Sequence, residues 1–270
     1  MQLKGLPIIK VSAGGNDFIL IDNREKKINM DDFLPIIPSI CGRGLSVGAN
    51  GVIILTGASD ADFNWMCFNS DGSEASFCID GIFPTARACR ILGVEKDTVT
   101  FTTSCGTIKA EVREKKIKIF LPPPKDIRLN QELVIDDRSL NSHYVNAGVP
   151  HVLIFDENVD DVPIMEMGRK IRNHKSFLPE GANVSFIQIL NNSELSIRTY
   201  ERGVEGETLA CGAGAFASAV ISAVLGFVTP PIKVNTRSRV YFSVDTSDNS
   251  IEGVARVVYT GELQEALWQR

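Results

Sequence analysis

Residues 206–226, GETLACGAGAFASAVISAVLG, decide the reading of this chain, because residues 73–93, SEASFCIDGIFPTARACRILG, repeat their layout at an offset of 133. Each stretch runs from a short polar turn through a cysteine into a helical candidate closed by glycine. Glu74, Cys78, Gly81 and Ala86 answer to Glu207, Cys211, Gly214 and Ala219. The offset recurs outward from there. Gly15 in GGNDFILID (14–22) answers to Gly148 in AGVPHVLIFD (147–156), and Gly48-Ala49-Asn50 to Gly181-Ala182-Asn183. An unslipped register from Gly15 to Ala86 implies duplication. Two similar halves imply two domains related by an approximate twofold axis, which would bring the paired cysteines to one cleft.

The remaining segments are mostly short β-branched runs bounded by turn residues, among them VIILTG (52–57), TVTFTT (98–103), VSFIQIL (184–190) and LSIRTY (195–200). Each half therefore reads as strands, a turn, a cysteine and a helix. The run AFASAVISAVL (215–225) is apolar on every side and must be buried, wrapped by the strands of its own half. The prolines at 122–124 mark the best internal boundary. We expect an N-terminal half of residues 1–125, joined by a returning C-terminal strand 259–270, and a C-terminal half of 126–258.

At 270 residues and 44% hydrophobic, the chain has enough material for one large core or two medium ones. A net charge of −5, from 28 basic and 33 acidic residues, leaves no basic stripe, and no segment interleaves Lys/Arg with aromatics, so nucleic acid is not an expected partner. No apolar run approaches the roughly 20 residues that span a bilayer, and the start MQLKGLPIIKVSAGG lacks a signal-peptide pattern. A cytoplasmic protein is the expectation. The six cysteines include no C-x-x-C pair, and His143, His151 and His174 are scattered, so neither a disulfide scaffold nor a metal site is expected. The three histidines read as structural. VSAGGND (11–17) lacks the glycine spacing of a dinucleotide loop, and no cofactor is expected.

Cys41, Cys67, Cys89 and Cys105 read as small core residues. Cys78 and Cys211 differ, since each precedes a helix in a repeated context. Inverting a carbon next to a carboxylate requires a base on one face and a proton donor on the other. A thiol has an ordinary pKa of about 8.5, lowered at a helix N-terminus, so one thiolate and one thiol coexist near neutral pH. Amide N–H groups at the helix starts stabilise charge that develops on the carboxylate.

The stretches GGNDFILID, FNSDGSEASFC (68–78), GVPH (148–151), LPEGANVSF (178–186) and TYERGVEGETLACGAGA (199–215) resemble the diaminopimelate epimerase family. That resemblance implies a cofactor-independent isomerase that interconverts LL- and meso-2,6-diaminopimelate in lysine and cell-wall precursor biosynthesis. It implies two α/β domains of mixed α+β character, each a mostly antiparallel sheet rolled around a central helix, and a homodimer. Cys78 and Cys211 would be the acid/base pair. Asn16, Asn69, Asn183, Glu201 and Arg202 would hold the far amino and carboxylate groups, and Gly212 and Ala213 the reacting carboxylate, with Asp80 and Gly81 in the matching turn of the first half. Arg202 suits its part independently, because a guanidinium grips a carboxylate with two parallel bonds.

The chain departs from the family's C-G-N-G-x-R-C after the first cysteine, having Cys78-Ile79-Asp80-Gly81-Ile82-Phe83-Pro84. Val149 replaces an asparagine, Ala213 stands where Ser or Thr is common, and Gly42 and Asn50 occupy aspartate positions. Two other readings are compatible with these changes: a racemase or epimerase of another amino acid, and a non-catalytic amino-acid-binding homologue. A thiol redox pair is a further reading, which amounts to reversible inactivation. Proline-type racemases lack the E-R-G…G-E-T-x-A-C-G run.

Overall fold

The computed structural model describes residues 4–75 and 77–264. The chain divides into two units, one ending at Ile119 and resuming at Val254, the other running Phe120–Gly253. The change of unit falls just ahead of the prolines at 122–124.

In the first unit, β1 (Leu6–Ala13) and β2 (Asn16–Asp22) form a hairpin, followed by two short helices, α1 (Met30–Phe33) and α2 (Ile37–Cys41). β3 (Gly51–Thr56), β4 (Phe63–Asn69), β5 (Glu74–Ala75), α3 (Ile79–Ala88), β6 (Thr98–Thr103), β7 (Gly106–Val112) and β8 (Ile117–Phe120) complete this stretch. β2 pairs with β3 in parallel, β3 with β4 antiparallel, β4 with β6 in parallel and β6 with β7 antiparallel.

The second unit repeats this ladder. It contains β9 (Lys125–Ile135), β10 (Arg138–Asn146), β11 (Pro150–Phe155), α4 (Ile164–Arg172), β12 (Asn183–Asn191), β13 (Glu194–Glu201), β14 (Gly206–Glu207), α5 (Gly212–Val224), β15 (Ile232–Asn235), β16 (Tyr241–Asp245) and β17 (Ser250–Gly253). β11 pairs with β12 in parallel, β12 with β13 antiparallel, β13 with β15 in parallel and β15 with β16 antiparallel. The last strand, β18 (Ala255–Leu263), lies antiparallel along β1. Residues 265–270 of the expected returning strand lie outside the described residues.

The strands next to the cores are short and rich in β-branched residues, with most of β2 and β3 buried. What they enclose is a helix. Residues Gly212–Ser222 of α5 are all buried, and the helix packs against β10, β11, β12, β13, β15 and β16. Alanine every few positions lets strands approach its backbone from all sides, which explains an apolar run with no polar face. α3 occupies the matching place in the first unit, against β1, β2, β7 and β18.

The third helical residue is a closely packed glycine in both units. A Cβ on Gly214 would lie 2.9 Å from Thr199 Oγ1 and 3.0 Å from Ser185 Oγ, and one on Gly81 would lie 3.0 Å from Trp65 and 3.1 Å from Ile53. Outside α5, α4 closes a second core over Val184, Phe186 and Tyr200.

Candidate active site

Cys211 is the N-cap of α5, in extended backbone conformation (φ −136°, ψ 107°). Its carbonyl accepts the Ala215 N–H at 2.8 Å and its Sγ accepts the Gly214 N–H at 3.3 Å. The sulfur thus caps the first turn, where orphan amides and the helix dipole favour negative charge. The Ala213 amide, second in the helix, has no intrahelical acceptor.

The strap leading to Cys211 is tied to β13. β14 pairs Tyr200 with Glu207 and Glu201 with Gly206, and the Thr208 N–H donates to the Thr199 carbonyl at 3.2 Å. Arg198, 8% exposed, grips Glu207 with two bonds of 2.7 and 2.8 Å and donates to the carbonyls of Val159, Asp160 and Val162. Such a bidentate, multiply bonded guanidinium fixes the backbone it touches. The Glu201 carboxyl accepts from the Thr208 hydroxyl and hydrogen-bonds the Cys211 side chain. Removal from water pushes this carboxyl above the usual range, against the opposing influence of Thr208 and Cys211.

Asn183 opens β12 beside His151 of β11. Its Oδ1 accepts the Arg202 backbone N–H at 2.8 Å, and its Nδ2 stands 3.3 Å from His151 Nε2. Since a backbone N–H can only donate, the amide orientation is set, and His151 Nε2 must accept with its proton on Nδ1. His151 is fully buried, and desolvation, helped by the Arg202 charge, lowers its pKa to about 3. It is a neutral acceptor at ordinary pH. Reading the histidines as isolated structural residues overlooked this link, for which the GVPH stretch was the available signal.

Arg202 is half-buried, and its guanidinium reaches the Glu180 carbonyl at 3.4 Å. Among the described residues no carboxylate pairs with it: Glu205 goes to Arg172 at 2.9 Å and Glu201 to Thr208. A half-exposed guanidinium with no internal counter-ion is suited to an external carboxylate.

In the first unit Cys78 is the N-cap of α3, also extended (φ −143°, ψ 101°), but its sulfur caps no amide. The two sulfurs are therefore held differently. Ile79 and Asp80 are buried at 1% and 4% exposure. The Gly81 N–H donates to the Cys78 carbonyl at 3.2 Å, and the side of Gly81 where a Cβ would stand faces Trp65 and Ile53. Pro84 falls in the second helical turn, where it leaves the Asp80 carbonyl without its i+4 amide. Thr85 supports that turn by donating to the Gly81 carbonyl at 2.7 Å.

Asn69 ends β4, where its Nδ2 donates to Ser73 Oγ at 3.0 Å, and half-buried Asn16 opens β2 opposite Ala13. Behind Asn16, Asp17 joins Lys10 at 2.8 Å and Arg43, while Asn50 Oδ1 accepts from Arg43 at 2.9 Å. Burial works to raise the Asp17 pKa, but the Arg43 and Lys10 partners outweigh it and hold the carboxyl below the usual range. Asn50 thus accepts from an arginine that also pairs with Asp17. Of the other cysteines, burial pushes Cys41 up to about 11 and Cys89 up to about 12, which leaves both as thiols.

The chain is similar to known proteins along both of its halves. The family model described as diaminopimelate epimerase matches residues 8–121 and 143–263. A diaminopimelate epimerase of Aquifex aeolicus (strain VF5) is 37% identical over 274 residues, covering 95% of this chain and 97% of the relative. One of Methanothrix thermoacetophila is 34% identical over 279 residues, covering 98% of each. In fold, the chain is similar to a hydroxyproline epimerase from Agrobacterium vitis with TM-score 0.74 at 14% identity, covering 95% of this chain and 90% of the other. A PhzF-family phenazine biosynthesis protein of Bacillus anthracis gives 0.69 at 18%, covering 96% and 99%. With both halves matched and relatives aligned along almost their full length, the chain belongs to the diaminopimelate epimerase family.

Proposed function

We propose that the protein epimerises LL-2,6-diaminopimelate to the meso form without a cofactor, in lysine and cell-wall precursor biosynthesis, with Cys78 and Cys211 as the two acid/base groups. The observation that carries this reading is the cysteine N-cap at the start of the central helix in each unit, at equivalent positions of an internal repeat. One sulfur, as thiolate, takes the α-proton while the other, as thiol, delivers a proton to the opposite face. Each turnover thus leaves the protonation of the pair exchanged. The Cys211 sulfur already accepts an amide hydrogen bond at the helix start, an arrangement that favours a thiolate there. The helix-start amides of Gly212 and Ala213 hold the reacting carboxylate, where charge develops. Arg202 and Asn183 bind the far end, with Asn16 and Asn69 contributing from the first unit. Asp80 shares the turn after Cys78, where its burial leaves Ile79 and the helix-start backbone to shape that side. A cytoplasmic homodimer is part of the same proposal, and sedimentation equilibrium tests the dimer.

The test is deuterium uptake at the α-carbon of LL- and meso-diaminopimelate in D₂O under reducing conditions, for the intact protein, Cys78→Ala and Cys211→Ala. Exchange with inversion, lost in both variants, is the expected result. No exchange by the intact protein would sink the proposal.

A further inference from the structure

The Thr208 hydroxyl lies between two acceptors. One is Glu201 Oε1, to which it donates; the other is the Ala210 carbonyl, 3.2 Å away, one residue before Cys211. Its backbone is clamped to Thr199 at 3.2 Å, next to the residue Glu207 that Arg198 holds, so the hydroxyl has little freedom except rotation about its own C–O bond. Glu201 in turn hydrogen-bonds the Cys211 side chain.

We propose that Thr208 is a positioning residue whose hydroxyl holds the Glu201 carboxyl against Cys211 in both protonation states of that carboxyl. The proposal rests on the two-cysteine reading above. A hydroxyl has one proton and two lone pairs, so it serves either state. When Glu201 is ionised, Thr208 donates to it. When Glu201 is protonated, the carboxyl donates to Thr208 Oγ1 and the threonine proton turns to the Ala210 carbonyl. No buried polar atom is orphaned in either arrangement, an outcome a methyl group in that place could not provide. With its own proton turned to Thr208, the carboxyl still accepts from the Cys211 thiol through its remaining lone pairs.

Besides burial, Thr208 from the strap and Cys211 from the start of α5 are the groups acting on the Glu201 carboxyl, and Arg202 is its neighbour along the chain. The repeat makes the device one-sided. The positions equivalent to Glu201 and Thr208 in the first unit are Phe68 and Ala75, which have neither carboxyl nor hydroxyl.

Thr208→Val and Thr208→Ala remove the hydroxyl, and Thr208→Ser keeps it. Steady-state turnover across pH is measured for each, together with the rate at which a small alkylating reagent modifies Cys211, mapped by peptide mass spectrometry, which needs no turnover. The hydroxyl-free variants should lose about tenfold to a hundredfold in kcat, the factor for one hydrogen bond to a charged group, with KM within about twofold. Their pH midpoints for turnover and for Cys211 alkylation should be displaced from the wild type, and Thr208→Ser should follow the wild type in both. Val and Ala variants with wild-type kcat and alkylation midpoint would overturn the proposal, as would a Ser variant as impaired as Val. If the intact protein turns over no diaminopimelate, the epimerase reading fails while the alkylation profiles still decide the part played by Thr208.

Discussion

Asn183 uses both ends of one amide inside the protein, accepting the Arg202 N–H at 2.8 Å and donating toward His151 Nε2 at 3.3 Å. Replacing it by alanine orphans a backbone donor and a buried ring nitrogen together. Asn183→Ala should cost about 1–3 kcal/mol of stability, measured by urea unfolding, and should raise KM for diaminopimelate more than it lowers kcat, because the backbone carrying Arg202 is released. An unchanged KM would mean that Asn183 only braces the fold. The family resemblance implied a place in the site for Asn183 but could not connect it to His151, since the two are 32 residues apart and become neighbours only through the parallel register of β11 and β12. Glu201 illustrates the same limit. Its place in the E-R-G run was legible, while its hydrogen bonds to Thr208 and Cys211 depend on how the strap folds back along β13.

At the scale of elements, each central helix begins at its cysteine and packs its third residue, a glycine, into the sheet. Adding a methyl at Gly214 pushes into the Ser185–Thr199 hydroxyl pair, which is itself closed at 2.9 Å. Gly214→Ala should therefore destabilise the protein by about 1–3 kcal/mol, the usual cost of overpacking, and lower activity by moving the amide that caps the Cys211 sulfur. Thermal unfolding and turnover measured on the same sample check this, and full stability with full activity would refute it. The helix starts were legible because a cysteine before an alanine-rich run closed by glycine has few other readings. The difference between the two caps was not, since both cysteines precede helices of similar sequence and only the position of the sulfur separates them.

For the whole molecule, the buried histidine sets an acid limit. His151 stays neutral in the fold to about pH 3, whereas an unfolded histidine titrates near its ordinary 6.5. The unfolded state thus binds the extra proton first, and stability falls as pH drops from about 6.5 toward about 3, by up to ~1.4 kcal/mol per pH unit. Asp17, depressed in the fold, adds a loss in the same direction at the acid end, while Glu201, raised in the fold, gains relative stability as pH falls. His151→Gln isolates the histidine contribution: its urea midpoint should vary less steeply with pH across that window, and equal slopes would contradict it. Among the described residues no helix is long and apolar enough to cross a membrane.

By itself the sequence determined the duplication, the two cysteines at helix starts, the sheet-wrapped apolar helix and the family, because these are carried by residue spacing and hydrophobic periodicity along the chain. Tertiary structure alone decided which polar groups pair: His151 with Asn183, Arg198 with Glu207, and Glu201 with Thr208 and Cys211, while among the described residues Arg202 has no carboxylate partner. Hydrogen bonds and ion pairs act over a few ångströms, and strand register, which no local pattern encodes, chooses the residues that come within that distance.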